Sequence, residues 1–260
     1  MKEITSVHNS LIKEVHSLSL KKGRNELGMF LIEGLKGVNE ALEWGIKVEN
    51  IFISENFVDE INNFADERIY KVSDQVLKKI STTETPPEII ATARQFKYST
   101  EDLFEEKNPL ILVLENIKDP GNLGTIIRTA AASSVSGIIL TDKTVDIFNP
   151  KTVRSSAANL WKIPIVYISD KEHIKETLDK FLSFQYLAAV VTQDKESVLY
   201  YDIDYKQPTV VMFGSEAEGL SKNLTEQADK LINIPMNEDV ESLNLSVSVG
   251  VVLYEAVRQK

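Results

Sequence analysis

In KDPGNLGTIIRTA, residues 118–130, an asparagine and two glycines precede an arginine in a run that reads as a turn feeding a helix. Pro120 and Gly121 suit the turn, Gly124 permits close backbone approach as the helix starts, and Asn122 could cap that helix through its side-chain oxygen. Arg128 carries a permanently charged fork that matches a phosphate or carboxylate; taken alone, it reads more readily as a surface arginine reaching solvent. A dinucleotide fingerprint beginning at Gly121 would need glycines where Leu123 and Ile126 stand, so that match fails, although Asp142 imitates the ribose-binding acid about 20 residues on.

Two further loops carry polar residues at the ends of apolar runs. In MFGSEAEGLS, 212–221, Gly214 and Gly219 bracket Glu216 and Glu218. Acids at a helix N-terminus would account for Glu218, but less readily for Glu216 directly at a strand end. In IPMNEDVESLNLSVSVG, 234–250, an acidic loop leads through Ser242, Leu243 and Asn244 into a helix. Ser242 could be a plain N-cap. Ser246 and Gly250, four apart, would let another segment approach that helix closely.

Elements that could position these loops follow from the apolar pattern. Strands are expected at PLILVLENI, GIILTD, IPIVYIS, YLAAVV, TVVMFGS and LINIPM, and helices at Thr125–Ser133, Thr152–Ala158, Lys171–Phe181, Asn223–Ala228 and Leu245–Arg258. Buried strands alternating with helices imply a mainly parallel sheet covered on both faces, with ligands beyond the carboxyl ends of the strands. The first 96 residues form a smaller α/β unit: a helix within residues 6–20, an exposed turn at KKGRNE, a strand at GMFLIEG, helices at Leu35–Trp44 and Asp74–Ile80, and strands at VENIFIS, RIYKVS and TPPEIIATARQF, with an Asn/Asp-rich helical stretch before RIYKVS. Polar residues 97–108, ending at Pro109, read as the linker to a domain spanning 109–260.

Composition narrows the chemistry. The chain has 260 residues, no cysteine and three scattered histidines, so thiolate metal sites, disulfides and a Cys nucleophile are excluded, and no metal-ligand spacing stands out. A cytoplasmic setting fits, and no apolar run approaches the ~20 residues a membrane span needs. A net charge of −10 argues against nonspecific coating of nucleic acid but leaves room for a focused site. Residues 1–24 hold Lys2, Lys13, Lys21, Lys22 and Arg24 against Glu3 and Glu14, a local positive excess.

Together NLGTIIR, GSEAEG and IPMNEDVESLNLS, in that order and each at a strand end, resemble the three motifs of the SpoU/TrmH family of RNA ribose 2′-O-methyltransferases, within the SPOUT superfamily. FLIEG (Phe30–Gly34) and TPPEIIA resemble the small substrate-binding domain that often precedes the catalytic one. The resemblance implies an α/β fold whose C-terminal, mainly parallel sheet is trefoil-knotted, with the knot forming a pocket for S-adenosyl-L-methionine. It also implies a homodimer. Asn122, Arg128, Glu216, Ser242 and Asn244 match the catalytic set, and Gly214, Ile234, Met236 and Leu243 the positions that hold the cofactor.

On this reading the substrate is RNA, ribosomal RNA by family analogy, with transfer RNA the alternative; a protein that binds RNA or a nicotinamide cofactor without methyl transfer is the reading from another class. Lys13, Lys21, Lys22 and Arg24 are expected to meet the RNA backbone, along with Arg128. A guanidinium is too weak a base to take the ribose proton, so Arg128 is expected to grip phosphate while the phosphate or water accepts the proton.

Overall fold

A computed structural model describes residues 2–60, 68–141, 143–191 and 197–260, without the side chains of 58–60. Asp142 and part of the Asn/Asp-rich stretch before RIYKVS lie outside the described residues. The chain divides into two compact units: Met1–Phe96 with Asp146–Trp161, and Lys97–Val145 with Lys162–Lys260. The division differs from a split at residues 97–108 in one segment, 146–161, which belongs with the N-terminal unit.

The first unit is built on a five-stranded sheet in the order β1-β4-β3-β5-β2, from β1 (Lys2–Ile4), β2 (Met29–Glu33), β3 (Val48–Ser54), β4 (Ile69–Val72) and β5 (Ile89–Arg94). β4 runs parallel to both β1 and β3, whereas β5 is antiparallel to β3 and β2. On one face, helix α1 (Ser10–Ser17) and helix α4 (Asp74–Ile80) contribute Ile12, Val15, Val76, Leu77 and Ile80 to a core shared with Leu31, Phe52, Val72 and Ile90. Strand alternation turns Phe30 to the other face. There it packs on Phe148, with ring centroids 4.9 Å apart, beside α6 (Pro150–Ser155). Helix α3 (Leu35–Glu43) buries Val38 and Ala41.

KKGRNE is not the exposed turn its polarity suggests. It lies in helix α2 (Lys21–Leu27), ended by Gly28 in the left-handed region at φ 60°. Gly23 and Arg24 are buried there; a Cβ on Gly23 would come within 2.2 Å of the Ser17 carbonyl oxygen. Arg24, 2% exposed, spends its guanidinium on Asp146 and on the carbonyls of Leu18 and Ser19. Satisfied donors are what make a buried arginine tolerable.

The second unit holds a seven-stranded, wholly parallel sheet ordered β10-β12-β9-β11-β6-β7-β8. Its strands are β6 (Leu110–Leu114), β7 (Gly137–Leu140), β8 (Ile165–Tyr167), β9 (Gln185–Ala189), β10 (Ser197–Leu199), β11 (Thr209–Phe213) and β12 (Lys230–Asn233). Every residue of β6, β7 and β11 is buried, as the apolar runs require of central parallel strands. Helices α7 (Ile174–Asp179) and α8 (Lys222–Glu226) supply Ile174, Leu178 and Leu224 to a core with Ile111, Val113, Val210 and Met212. Helices α5 (Pro120–Ala132) and α9 (Leu245–Gln259) pack on one another. The polar stretch 97–108 is part of this unit: Thr100–Phe104 forms a 3-10 turn, and fully buried Leu103 sits where a Cβ on Gly137 would stand.

Strand order reverses between β6 and β11. β7 and β8 lie to one side of the pair and β9, β12 and β10 to the other, so the carboxyl ends of β6 and β11 border a crevice of the kind in which parallel α/β sheets hold ligands.

Candidate functional site

Asn122 does not cap α5. Asp119 does, its Oδ1 accepting the Asn122 backbone N–H at 2.9 Å, with Pro120 in the first turn, where its missing N–H costs nothing. Asp119 thereby starts the helix five residues before the expected Thr125 and frees the Asn122 carboxamide. Its Nδ2 donates to Glu216 Oε1, and its Oδ1 accepts from Asn244 Nδ2 at 3.1 Å. Asn244 is the N-cap of α9, accepting from the backbone N–H and the hydroxyl of Ser246 at 2.9 and 2.6 Å. One hydrogen-bonded chain, Glu216–Asn122–Asn244, thus joins the loops that follow β11, β6 and β12.

Beside it lies a cleft of about 330 Å³ lined by Gly214, Ile234, Met236 and Leu243, the four expected cofactor positions, and by Ser242 and Glu216. Gly214 is irreplaceable by geometry: a Cβ would fall 1.9 Å from the Gly219 carbonyl carbon. Gly219 itself stands at φ 65°, and its N–H donates to the Ser215 carbonyl at 2.9 Å, closing the loop into a tight turn. Ser242 is exposed and is not the helix cap, since Asn244 holds that position.

The cleft fits an adenosyl sulfonium. Val190, Phe213, Ile232 and Leu245 give it apolar walls for a flat ring, and the Glu216 and Glu218 carboxylates at its edge suit a cation. Asn233, 6% exposed, also lines it and leaves Oδ1 without a hydrogen-bond partner among the described residues, an acceptor available to an amino group.

Arg128 joins neither the cleft nor the amide chain. It is exposed on α5 and has no hydrogen-bond or ion-pair partner among the described residues, so its charge is available to a ligand.

Glu115, which the sequence reading passed over, anchors the loop after β11. Buried at the end of β6, it accepts from the Ser221 backbone N–H at 2.7 Å and from the Lys171 ammonium. Burial alone would raise its pKa, but the bonds from Lys171 and Ser221 outweigh that and hold the carboxyl below the usual range. Its neighbour Asn116, at φ 60°, donates from Nδ2 to Glu218 Oε2 at 2.6 Å. The available signal was a carboxylate ending an otherwise apolar strand.

Of the N-terminal cations expected to meet RNA, Arg24 is corrected: buried and paired with Asp146, it has no reach to a phosphate. Lys21 and Lys22 are exposed on α2, Lys22 lying 3.8 Å from Glu26. Lys13 is exposed on α1.

Residues 109–254 match the SpoU rRNA Methylase family, and residues 9–91 match the MRM3-like substrate binding domain. The chain belongs to the SpoU rRNA methylase family. An uncharacterized tRNA/rRNA methyltransferase of Synechocystis sp. is 38% identical across 99% of this SpoU chain and 94% of its own length. The 23S rRNA (guanosine(2553)-2′-O)-methyltransferase RlmP of Bacillus subtilis is 30% identical, with 98% of each chain covered. Among solved structures, the AdoMet-bound rRNA methyltransferase of Sinorhizobium meliloti superposes with a TM-score of 0.88 and 33% identity, covering 99% of this chain and 97% of that one. The SpoU match spans the loops after β6, β11 and β12.

Proposed function

We propose that this SpoU protein transfers the methyl group of S-adenosyl-L-methionine to a ribose 2′-hydroxyl of RNA, with ribosomal RNA as the substrate class. The observation that carries the reading is the Glu216–Asn122–Asn244 chain bordering a cleft fitted to an adenosyl sulfonium. Similarity over nearly the whole chain to RlmP, named for 2′-O-methylation of 23S rRNA, favours ribosomal over transfer RNA.

When bound, S-adenosyl-L-methionine supplies an electrophilic methyl group. The chain's residues supply position. Gly214, Ile234, Met236 and Leu243 hold the donor, and Ser242 faces it from the loop before α9. Asn122 and Asn244, each fixed by the other, orient the ribose, and Glu216 locks the Asn122 amide. Arg128 grips the neighbouring phosphate and steadies charge developing on the 2′-oxygen. The proton leaves to that phosphate or to water, because a guanidinium has no acceptor to offer.

A trefoil knot and a homodimer belong to the same reading. The knot rests on membership of the SpoU family. Val247, Tyr254 and Val257 are 50%, 54% and 41% exposed along one side of α9, an apolar stripe suited to a second copy. No described helix is long and apolar enough to cross a membrane. An RNA substrate favours the cytoplasm.

Incubating the protein with radiolabelled S-adenosyl-L-methionine and RNA from cells lacking its gene tests the reading. Label is expected in ribosomal RNA as ribose 2′-O-methyl and is lost with Arg128→Ala; label in transfer RNA alone would overturn the substrate class, and none in any RNA the activity.

A further inference from the structure

Helices α1 and α4 pack side by side on the first unit's sheet, and residues far apart in the chain meet between them. Val7, His8, Lys13 and His16 from one segment and Gln75, Lys78 and Lys79 from the other line an open groove of about 490 Å³. Among the described residues, no carboxylate lines it. Among the described residues, Lys13, Lys78 and Lys79 have no ion-pair partner, whereas Lys22, Lys36, Lys47 and Lys222 lie within 4 Å of a glutamate.

Helix electrostatics explain part of this arrangement. Lys78 and Lys79 occupy the last turn of α4, where cations are favoured. Lys13 is different: it ends the first turn of α1, a turn with no acidic residue, where a cation opposes the helix dipole. Three like charges around one concavity repel one another, even in a protein whose net charge is −10. An anion in the groove removes both costs. His8, His16 and Val7 within the cationic groove add ring and apolar surface against which a base can pack.

We propose that this groove seats the sugar-phosphate backbone of the RNA substrate, gripped by Lys13, Lys78 and Lys79; the identity of the polyanion rests on the reading of the protein as an RNA methyltransferase. Lys21 and Lys22, on α2, are outside the groove.

The test uses the full chain carrying Lys13→Glu, Lys78→Glu and Lys79→Glu together, against a control with the same charge change at the ion-paired lysines, Lys36→Glu, Lys47→Glu and Lys222→Glu. Affinity for a fluorescent single-stranded RNA oligonucleotide is measured across a salt series, with S-adenosyl-L-methionine affinity as the check on folding. The groove variant is expected to lose RNA affinity by ~10-fold or more at low salt and to flatten the salt dependence by roughly 2 in log–log slope, the effect of three phosphate contacts. The control is expected to keep the wild-type slope. Equal losses in both variants, or none in the groove variant, overturn the proposal. Should the Glu variant lose donor binding, the triple Gln variant is read by the same criteria. Absence of methyl transfer by the wild-type protein would sink the enzymatic reading, while the affinity measurement would still judge the groove.

Discussion

The Asn122 carboxamide is held at both ends, donating to Glu216 and accepting from Asn244 at 3.1 Å. Its orientation is therefore fixed by hydrogen-bond logic: a flip would set its oxygen against the Glu216 carboxylate and its amino group against that of Asn244. Asn122→Asp imposes the first of those clashes permanently. We expect it to lower single-turnover methyl transfer by about two orders of magnitude, the scale of losing one oriented donor at a reacting centre, with donor affinity changed little. Wild-type turnover in Asn122→Asp would remove the amide chain from the mechanism.

Gly214→Ala tests the cleft itself. The added methyl would meet backbone at 1.9 Å, with no flexible side chain to yield, so the 214–219 turn must shift. Isothermal titration is expected to show donor binding lost, and thermal unfolding a destabilisation of about 1–3 kcal/mol from overpacking. Unchanged titration would place the methyl donor elsewhere.

Glu115 gives a pH signature. Its pKa is lowered in the fold, so its contribution to stability is present above the unfolded value of about 4.3 and is lost as pH falls through the depressed folded value. Glu115→Gln retains an oxygen for the Ser221 N–H but not the ion pair with Lys171. Melting temperature followed downward from neutral pH should therefore fall less steeply below pH ~4.3 in the variant than in the wild type. Parallel curves would mean the carboxylate contributes nothing through its charge.

Arg24→Ala distinguishes structure from recognition. Removing the guanidinium strands Asp146, 13% exposed, and the carbonyls of Leu18 and Ser19. A stability loss of about 3–5 kcal/mol is expected by chemical denaturation. The salt slope of RNA binding should stay at the wild-type value wherever the variant remains folded. A flatter slope at retained stability would restore Arg24 to the RNA surface.

The buried strands and the three loops were legible because both are written locally. An apolar run such as Leu110–Leu114 has few ways to be anything but a central strand, and the loop motifs sit directly at strand ends. What escaped depends on distant partners. KKGRNE looks like a turn until Asp146, 122 residues on, receives Arg24. Lys78 and Lys79 resemble any basic helix end until α4 meets α1. β1 and β10, of three residues each, are too short for alternation to register and exist through pairing with β4 and β12. Asn122 is a candidate cap in sequence because Asn and Asp share that propensity; Asp119 prevails because it stands directly before Pro120.

The first unit is assembled from two stretches separated by Lys97–Val145. Glu33 makes the point: its carboxylate, buried and held below the ordinary pKa range against the burial that would raise it, accepts from Ser81, Thr82 and Arg154. Arg24 likewise waits for Asp146, and Phe30 for Phe148. On a ribosome, residue 96 emerges a further 65 residues ahead of Trp161. At 5–20 residues per second that is a delay of roughly 3 to 13 s. Over that interval Arg24 lacks Asp146 and Glu33 lacks Arg154. Order of synthesis therefore places the last contacts of the N-terminal unit, those of Asp146, Phe148 and Arg154, within translation of the SpoU region.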